Sequence, residues 1–304
     1  MGRPDFLKKA GRLVSPSLSA PEGYFTLPGL HHPGVFHFFG TRDLREMVGG
    51  RNGNRDLIDP MIPGTMPEMK GGPIRLRQVH GDQICDLREM VGGRNENHDL
   101  REMVGGRSGN HPVDEKTELT GDGLTTDRPR LMITVSTADC VPILLFDPVR
   151  RAVSAVHAGW RGTVLNISGK AVRAMTERYG SDPATLYAGI GPSIGPCCYE
   201  VGEEVWGEVE RKYGAGSAVI RGDQGGKARL DLPRLNRFQL VEAGILADRI
   251  SSSGLCTACL PEFFYSYRRD QGKRGNMISG IMLTERQPAN EESVEGEAPS
   301  GSAG

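Results

Sequence analysis

LMITVSTADCVPILLFDPVRRAVSAVHAGWRG, residues 131–162, contains three short apolar runs. Two of them, 131–135 and 141–146, flank a polar corner, Ser136-Thr137-Ala138-Asp139-Cys140. The third, 152–156, leads into His157-Ala158-Gly159-Trp160-Arg161-Gly162. The runs are rich in β-branched residues and bounded by Asp-Pro or Gly, which predicts buried strands. Cys140 and His157 then stand at strand ends, where rigid backbone can aim a side chain into a cleft. Either residue alone reads more simply as a buried thiol or a satisfied core histidine. Together, with Gly159, Trp160 and Arg161 behind the histidine, they read as a reactive site.

Outward from this stretch, 163–179 places Val164, Ile167, Ala171 and Met175 at spacings of three and four, ahead of Gly180. That pattern predicts an amphipathic helix with a glycine stop. A strand over 186–190 should run into Gly191-Pro192-Ser193-Ile194-Gly195-Pro196. Val201, Val205 and Val209 mark a further helix face, closed by Gly214. A strand over 228–232 precedes a helix over 233–243 with proline at its start. Strands are also expected at 35–39 and 277–283. This alternation by itself suggests an α/β fold. No stretch within 30–284 is rich enough in Pro, Gly or Ser to divide the chain.

The chain has 304 residues, enough for one large core or two modest ones. Lys+Arg 37 against Asp+Glu 38 gives a net charge of −1, so charge offers no case for nucleic acid or an anionic membrane as partner. The opening MGRPDFLKKAGRLVSPSLSA has basic residues but no apolar core of a signal peptide. No apolar run approaches membrane-spanning length. Six cysteines without a secretory signal favour reduced thiols and a cytoplasmic setting. Residues 1–30 read as an irregular leading segment, and 286–304 as a polar, disordered tail.

One 13-residue unit occurs three times: DLREMVGGRNGNR at 43–55, DLREMVGGRNENH at 86–98 and DLREMVGGRSGNH at 99–111. Three short units, two of them in tandem, cannot stack a continuous solenoid core. A helical turn and a loop are the most each can offer. The tandem pair, 86–111, is expected to be an exposed surface insertion, with a partner-binding role as the alternative.

The pairing of TADCVPILL with HAGWRG resembles the laccase-domain family, once described as multicopper polyphenol oxidases and now read as zinc-dependent purine nucleoside phosphorylases. Three more stretches carry the likeness: Arg77-Gln78-Val79-His80-Gly81, Gly191-Pro192-Ser193-Ile194-Gly195-Pro196-Cys197-Cys198-Tyr199-Glu200-Val201, and Phe263-Phe264-Tyr265-Ser266-Tyr267-Arg268-Arg269. Ordered signatures over roughly 35–284 are far more specific than a lone HAGWRG. The resemblance implies one α+β domain over 31–285, with packed mixed sheets flanked by helices. It also matches His80, Cys140 and His157 to the family's metal trio. Imidazole and thiolate are ligands zinc prefers, and three protein ligands leave a fourth position open, as catalysis requires. The implied substrates are purine nucleosides (adenosine, inosine or methylthioadenosine) and inorganic phosphate, with adenosine deamination as a further activity. Removing 86–111 restores the family's continuous text, RQVHGDQIC followed by PVDEKTELTGDGLTTD.

The residues leave alternatives open. Copper could take the place of zinc. A multicopper cluster needs more histidine than seven, of which His98 and His111 lie in the repeats and His31, His32 and His37 near the start. Cys140 with His80 or His157 could instead be the thiolate–imidazolium pair of a cysteine hydrolase. Asp139 reads equally as an acceptor for a ligating histidine or as a turn or cap residue. Arg161 and Arg42 are the candidate substrate-binding residues, because guanidinium suits phosphate; Arg268 and Arg269 also lie in signatures. The Gly189–Pro196 stretch offers backbone amides to phosphate, reduced by two prolines. Tyr199, Phe264 and Tyr265 could stack on a purine, though core packing suits each of them too. Cys256-Thr257-Ala258-Cys259 is a CxxC and Cys197-Cys198 a vicinal pair. With Cys85 outside both, these four could in principle bind structural zinc, but the pair is a poor substitute for a second CxxC, so packing beside the cleft is the expected role of these thiols.

Overall fold

A segment that is apolar at nearly every position has no side to give to solvent, and Val141–Asp147 is buried at all seven residues. The computed structural model, which describes residues 23–47, 73–88, 119–214, 218–221, 226–273 and 275–285, explains why. Its strands are β1 (Tyr24–Phe25), β2 (Val35–Gly40), β3 (Ile84–Asp86), β4 (Gly123–Thr126), β5 (Ile133–Thr137), β6 (Val141–Asp147) and β7 (Ala152–Ala158). They continue as β8 (Tyr187–Ile190), β9 (Glu200–Val201), β10 (Val219–Arg221), β11 (Ala228–Leu230), β12 (Ile250–Ser252) and β13 (Met277–Leu283).

Six strands form a mixed sheet in the order β12-β8-β6-β7-β4-β3, and four form an antiparallel sheet in the order β1-β2-β13-β5. The two sheets share a core in which Leu144, Phe146, Val153 and Ala155 meet Phe39, Ile133, Val135 and Ile281. The opposite face of β6, Ile143 and Leu145, packs under the helices Ile167–Tyr179 and Leu232–Glu242 through Ala171, Met175, Leu235 and Leu240. Burial on both faces is what turns an alternating pattern into a continuous apolar run. The fold is therefore α+β, with packed sheets and helices outside, as the resemblance implied.

Local departures from the expected elements have physical causes. The helix predicted over 163–179 is two helices, Trp160–Val164 and Ile167–Tyr179, separated at Asn166 with φ 65° and ψ 43°. Asn is one of the few residues that visits this left-handed region readily. Val201 ends β9 rather than opening a helix, and the helix begins at Glu203. The strand predicted over 228–232 stops at Leu230, because Asp231 caps the next helix by accepting from the Arg234 amide. Residues 23–30 are not irregular: β1 pairs with β2, and Phe25, Leu27 and Leu30 are buried. Residues 1–22 and 286–304 lie outside the described residues.

The repeats meet the core sooner than expected. The first copy opens within the helix Arg42–Met47, with Leu44 buried. In the second copy Asp86 ends β3 and accepts from Tyr179 Oη (2.8 Å) and Arg178 Nη1 (3.2 Å), while Leu87 is 0 % exposed. An excursion beginning at residue 86 is thus corrected: 86–88 belong to the domain, and 89–111 lie outside the described residues. Leu87→Ala should destabilise the protein by about 2–5 kcal/mol in chemical denaturation, as buried leucines do when truncated. A change within about 0.5 kcal/mol, the range of surface substitutions, would return Leu87 to the insertion.

Candidate metal centre

Strand pairing brings the ligand positions together. Pro142 on β6 faces His157 on β7, so Cys140, just before β6, comes level with the end of β7. His80 arrives on a separate loop. That loop is held by Gln78, whose side chain donates to the Ser136 carbonyl and accepts from the Ser136 amide, both at 2.8 Å. His80, Cys140 and His157 each offer a donor atom, and these atoms all lie within 4.8 Å of one another. The two imidazole rings stand nearly perpendicular, with centroids 4.9 Å apart. Gly159 forms the wall beside them: a Cβ there would lie 3.2 Å from Cys140 Sγ and 3.3 Å from His80 Cδ2.

Asp122 organises this centre, and it was not singled out from sequence. Fully buried, it accepts from the amides of His80 (2.9 Å) and Gly81 (2.7 Å). Its Oδ1 also lies 2.8 Å from His157 Nδ1. A carboxylate on Nδ1 fixes the tautomer and leaves Nε2 to act as a ligand. The same contacts couple the three groups electrostatically. Burial opposes ionisation of Cys140, but hydrogen bonds and charge from His157 and His80 pull its thiol down to about 7. Burial likewise disfavours charged His157, yet Asp122 and Cys140 raise it to about 9. Burial works against the Asp122 carboxylate too, and its bond to His157 and the amide bonds leave it lowered. One aspartate beside a Gly-Leu-Thr strand carries no sequence mark of this role; a three-way anchor becomes visible only after folding.

Of the two roles open to Asp139, the turn residue is the one the fold uses. With φ 87°, it turns its carboxylate away from the histidines and accepts from Thr257 Oγ1 (2.6 Å), Ser266 Oγ (3.1 Å) and the Arg268 amide (2.7 Å). It braces the corner that presents Cys140. The amide cradle read into 189–196 is also corrected. The amides of Gly191, Ser193 and Ile194 already donate to Pro142, Leu255 and Asp139 carbonyls, and that of Gly195 to Cys256 Sγ.

The arginines divide. Arg161 is exposed, lies 4.4 Å over the Trp160 ring, and pairs with no carboxylate among the described residues. Arg42 instead donates to the Pro261 carbonyl and lies 5.3 Å over Tyr265, tying down the C-terminal signature. Arg269 clamps the carbonyls of Thr257 and Phe264. Arg268 lies 5.1 Å over Tyr199, whose hydroxyl is pushed up to about 12 by burial and the Cys140 charge. Phe264 and Tyr265 are core residues, so of the three candidates Tyr199 is the one that feels the Cys140 charge. His31, His32 and His37 line a separate pocket. His37 there is buried and held near 4 by burial and by His31, accepting from the Leu27 amide as a neutral ring.

The chain is 44% identical over 166 residues to the Bacillus subtilis (strain 168) "Purine nucleoside phosphorylase YlmD", a match covering 54% of this chain and 59% of that protein. It is 40% identical over 161 residues to "Adenosine deaminase RL5" of an unknown prokaryotic organism, covering 53% and 61%. The matches thus span about 60% of the length of these relatives. Among solved structures, the Bacillus licheniformis hypothetical protein YfiH superposes with a TM-score of 0.67 at 31% identity, covering 84% of this chain and 98% of that one. The sequence profile of the family described as "Multi-copper polyphenol oxidoreductase laccase" matches residues 65–284, most of the chain, and the chain belongs to that family.

Proposed function

We propose that the chain is a zinc-dependent purine nucleoside phosphorylase acting on adenosine, inosine or methylthioadenosine, with adenosine deamination as a second activity. The observation that carries this reading is the convergence of His80, Cys140 and His157 with an Asp-oriented histidine. The relatives named as purine nucleoside phosphorylases and as an adenosine deaminase support the substrate class. Two imidazoles and one thiolate fit zinc in number and type, and they leave one coordination position open. A bound zinc would supply a Lewis acid and lower the pKa of water in that position. Copper fits the same donors as an alternative metal. The remaining chemistry belongs to the side chains. Asp122 holds His157 by Nδ1, Arg161 is a cation available to phosphate, and Tyr199 offers a ring beside the centre.

One observation favours a second reading. Asp122, His157 and Cys140 form a relay with a depressed thiol and an elevated imidazole, the arrangement a cysteine hydrolase uses. Replacing Cys140 would disable both enzymes, so the decision rests on products and metal. The glycosidic bond should be cleaved only with inorganic phosphate, giving ribose 1-phosphate, whereas deamination to inosine needs no phosphate, and metal depletion should stop cleavage until zinc is restored. Free ribose formed at an undiminished rate without phosphate and without zinc would reject the phosphorylase.

A further inference from the structure

Four cysteines whose spacing argued against a shared metal meet on one surface. Cys197 and Cys198 lie in the turn at 196–198, and Cys256 and Cys259 lie on the loop after β12. The four sulfurs all lie within 4.8 Å of one another, with Cys259 Sγ 3.5 Å from that of Cys197 and 3.3 Å from that of Cys198. We infer that Cys197, Cys198, Cys256 and Cys259 form a second metal site, a closed tetrathiolate centre for zinc or another thiophilic divalent cation, distinct from the His80–Cys140–His157 centre.

Several features argue for a metal over packing. Cys197 and Cys259 are exposed and the other two only half-buried, so the thiols are not filling a core. Clustered exposed thiols at a surface are otherwise a liability. Zinc–sulfur bonds of about 2.3 Å place the sulfurs of a tetrahedral site about 3.8 Å apart. The observed cluster needs only small adjustments to reach that spacing. The backbone is already arranged for thiolates. Gly195 donates its amide to Cys256 Sγ at 3.3 Å, and a Cβ on Gly195 would lie 3.3 Å from Cys197 Sγ. Ser193 and Cys256 form a parallel bridge, and the Thr257 amide donates to the Ser193 carbonyl at 3.1 Å. The two cysteine-bearing loops are therefore registered without the metal. Zinc with four thiolates carries a net charge of about −2. Arg229 sets its guanidinium on the carbonyls of Pro196 and Cys197, where it offsets that charge.

The centre has a place in the architecture. Both loops hang on the residue before Cys140: the Ile194 amide donates to the Asp139 carbonyl, and Thr257 Oγ1 to its carboxylate. A closed metal here would clamp the corner that presents the other centre, and the same loop continues into Tyr199. Four ligands leave no open position, so the role is structural.

Metal content tests this. The full chain, purified anaerobically in reductant, loaded with zinc and desalted, should hold about two zinc ions per chain by elemental analysis. A Cys197→Ser/Cys259→Ser variant should hold about one, and His80→Ala/His157→Ala should also hold about one, each lacking a different ion. Loss of zinc only in the histidine variant would overturn the tetrathiolate and leave the first centre standing. Loss only in the cysteine variant would do the reverse. If the cysteine variant does not fold, cobalt loading of the wild-type chain replaces it. A tetrathiolate should give sulfur-to-cobalt absorption far stronger than one thiolate can, whereas absorption fitting a single thiolate would overturn the site. A disulfide among these cysteines in zinc-loaded, reductant-purified protein would overturn it as well.

Discussion

Asp122→Ala should lower zinc affinity by about 10–100-fold, the usual effect of removing the group that orients a ligating histidine. The carboxylate serves two ligands at once. It aligns His157 through Nδ1, and it anchors the amides of His80 and Gly81. Removing it leaves the buried His157 imidazole and two backbone amides without their acceptor, so stability should also fall by about 3–5 kcal/mol, as when one partner of a buried pair is deleted. Asp122→Asn separates the effects. It keeps the shape and one oxygen, so stability should suffer less. The amide cannot neutralise a charged His157, and its NH₂ would face the donors on the His80 loop. Zinc affinity should therefore still fall. Competition with a chromogenic chelator measures the affinity, and activity at excess zinc should recover in part. Wild-type affinity in both variants would mean that His157 is oriented by something else.

The central strands were legible because a doubly buried sheet leaves an unbroken apolar run, and β5, β6 and β7 fall within a few residues of the runs at 131–156. The cluster of His80, Cys140 and His157 was legible only through resemblance. Nothing in the spacing of residues 80, 140 and 157 states that a loop and two strand ends converge. Asp122 and Asp139 show what pattern reading lacks. Both are buried aspartates in small-residue surroundings, and only the folded partners reveal that one holds the ligands while the other holds the corner. The cysteines mislead for a related reason. A vicinal pair is a weak metal signature in one dimension, but the isolated bridge between Ser193 and Cys256 lays it directly beside a CxxC. The repeat hid a boundary in the opposite way. Its text is uniform across copies, yet Asp86 and Leu87 answer to Tyr179 and the core rather than to the unit they open.

Gly162→Ala sets two effects of opposite sign against each other. Gly162 lies within the helix Trp160–Val164, where alanine is favoured over glycine by about 1 kcal/mol on propensity alone. That would predict a more stable protein with an unchanged site. The tertiary contact says otherwise. A Cβ on Gly162 would stand 2.5 Å from the carbonyl oxygen of Gly81, a backbone atom that cannot rotate away. Relief requires moving the loop that carries His80, and the Gly81 amide is tied to Asp122. The overlap should win, because displacing a ligand by about 1 Å can cost about 10²-fold in rate while the helix gain is only about 1 kcal/mol. Gly159→Ala makes a useful companion, since its Cβ would meet side-chain atoms of Cys140 and His80 at 3.2 and 3.3 Å, contacts that shifts of a few tenths of an ångström relieve. Turnover at saturating zinc should therefore fall more steeply for Gly162→Ala than for Gly159→Ala, with zinc affinity falling in the same order. A Gly162→Ala protein with raised Tm, wild-type zinc affinity and wild-type turnover would show that the His80 loop yields without cost, and that this glycine is not what holds the loop in place.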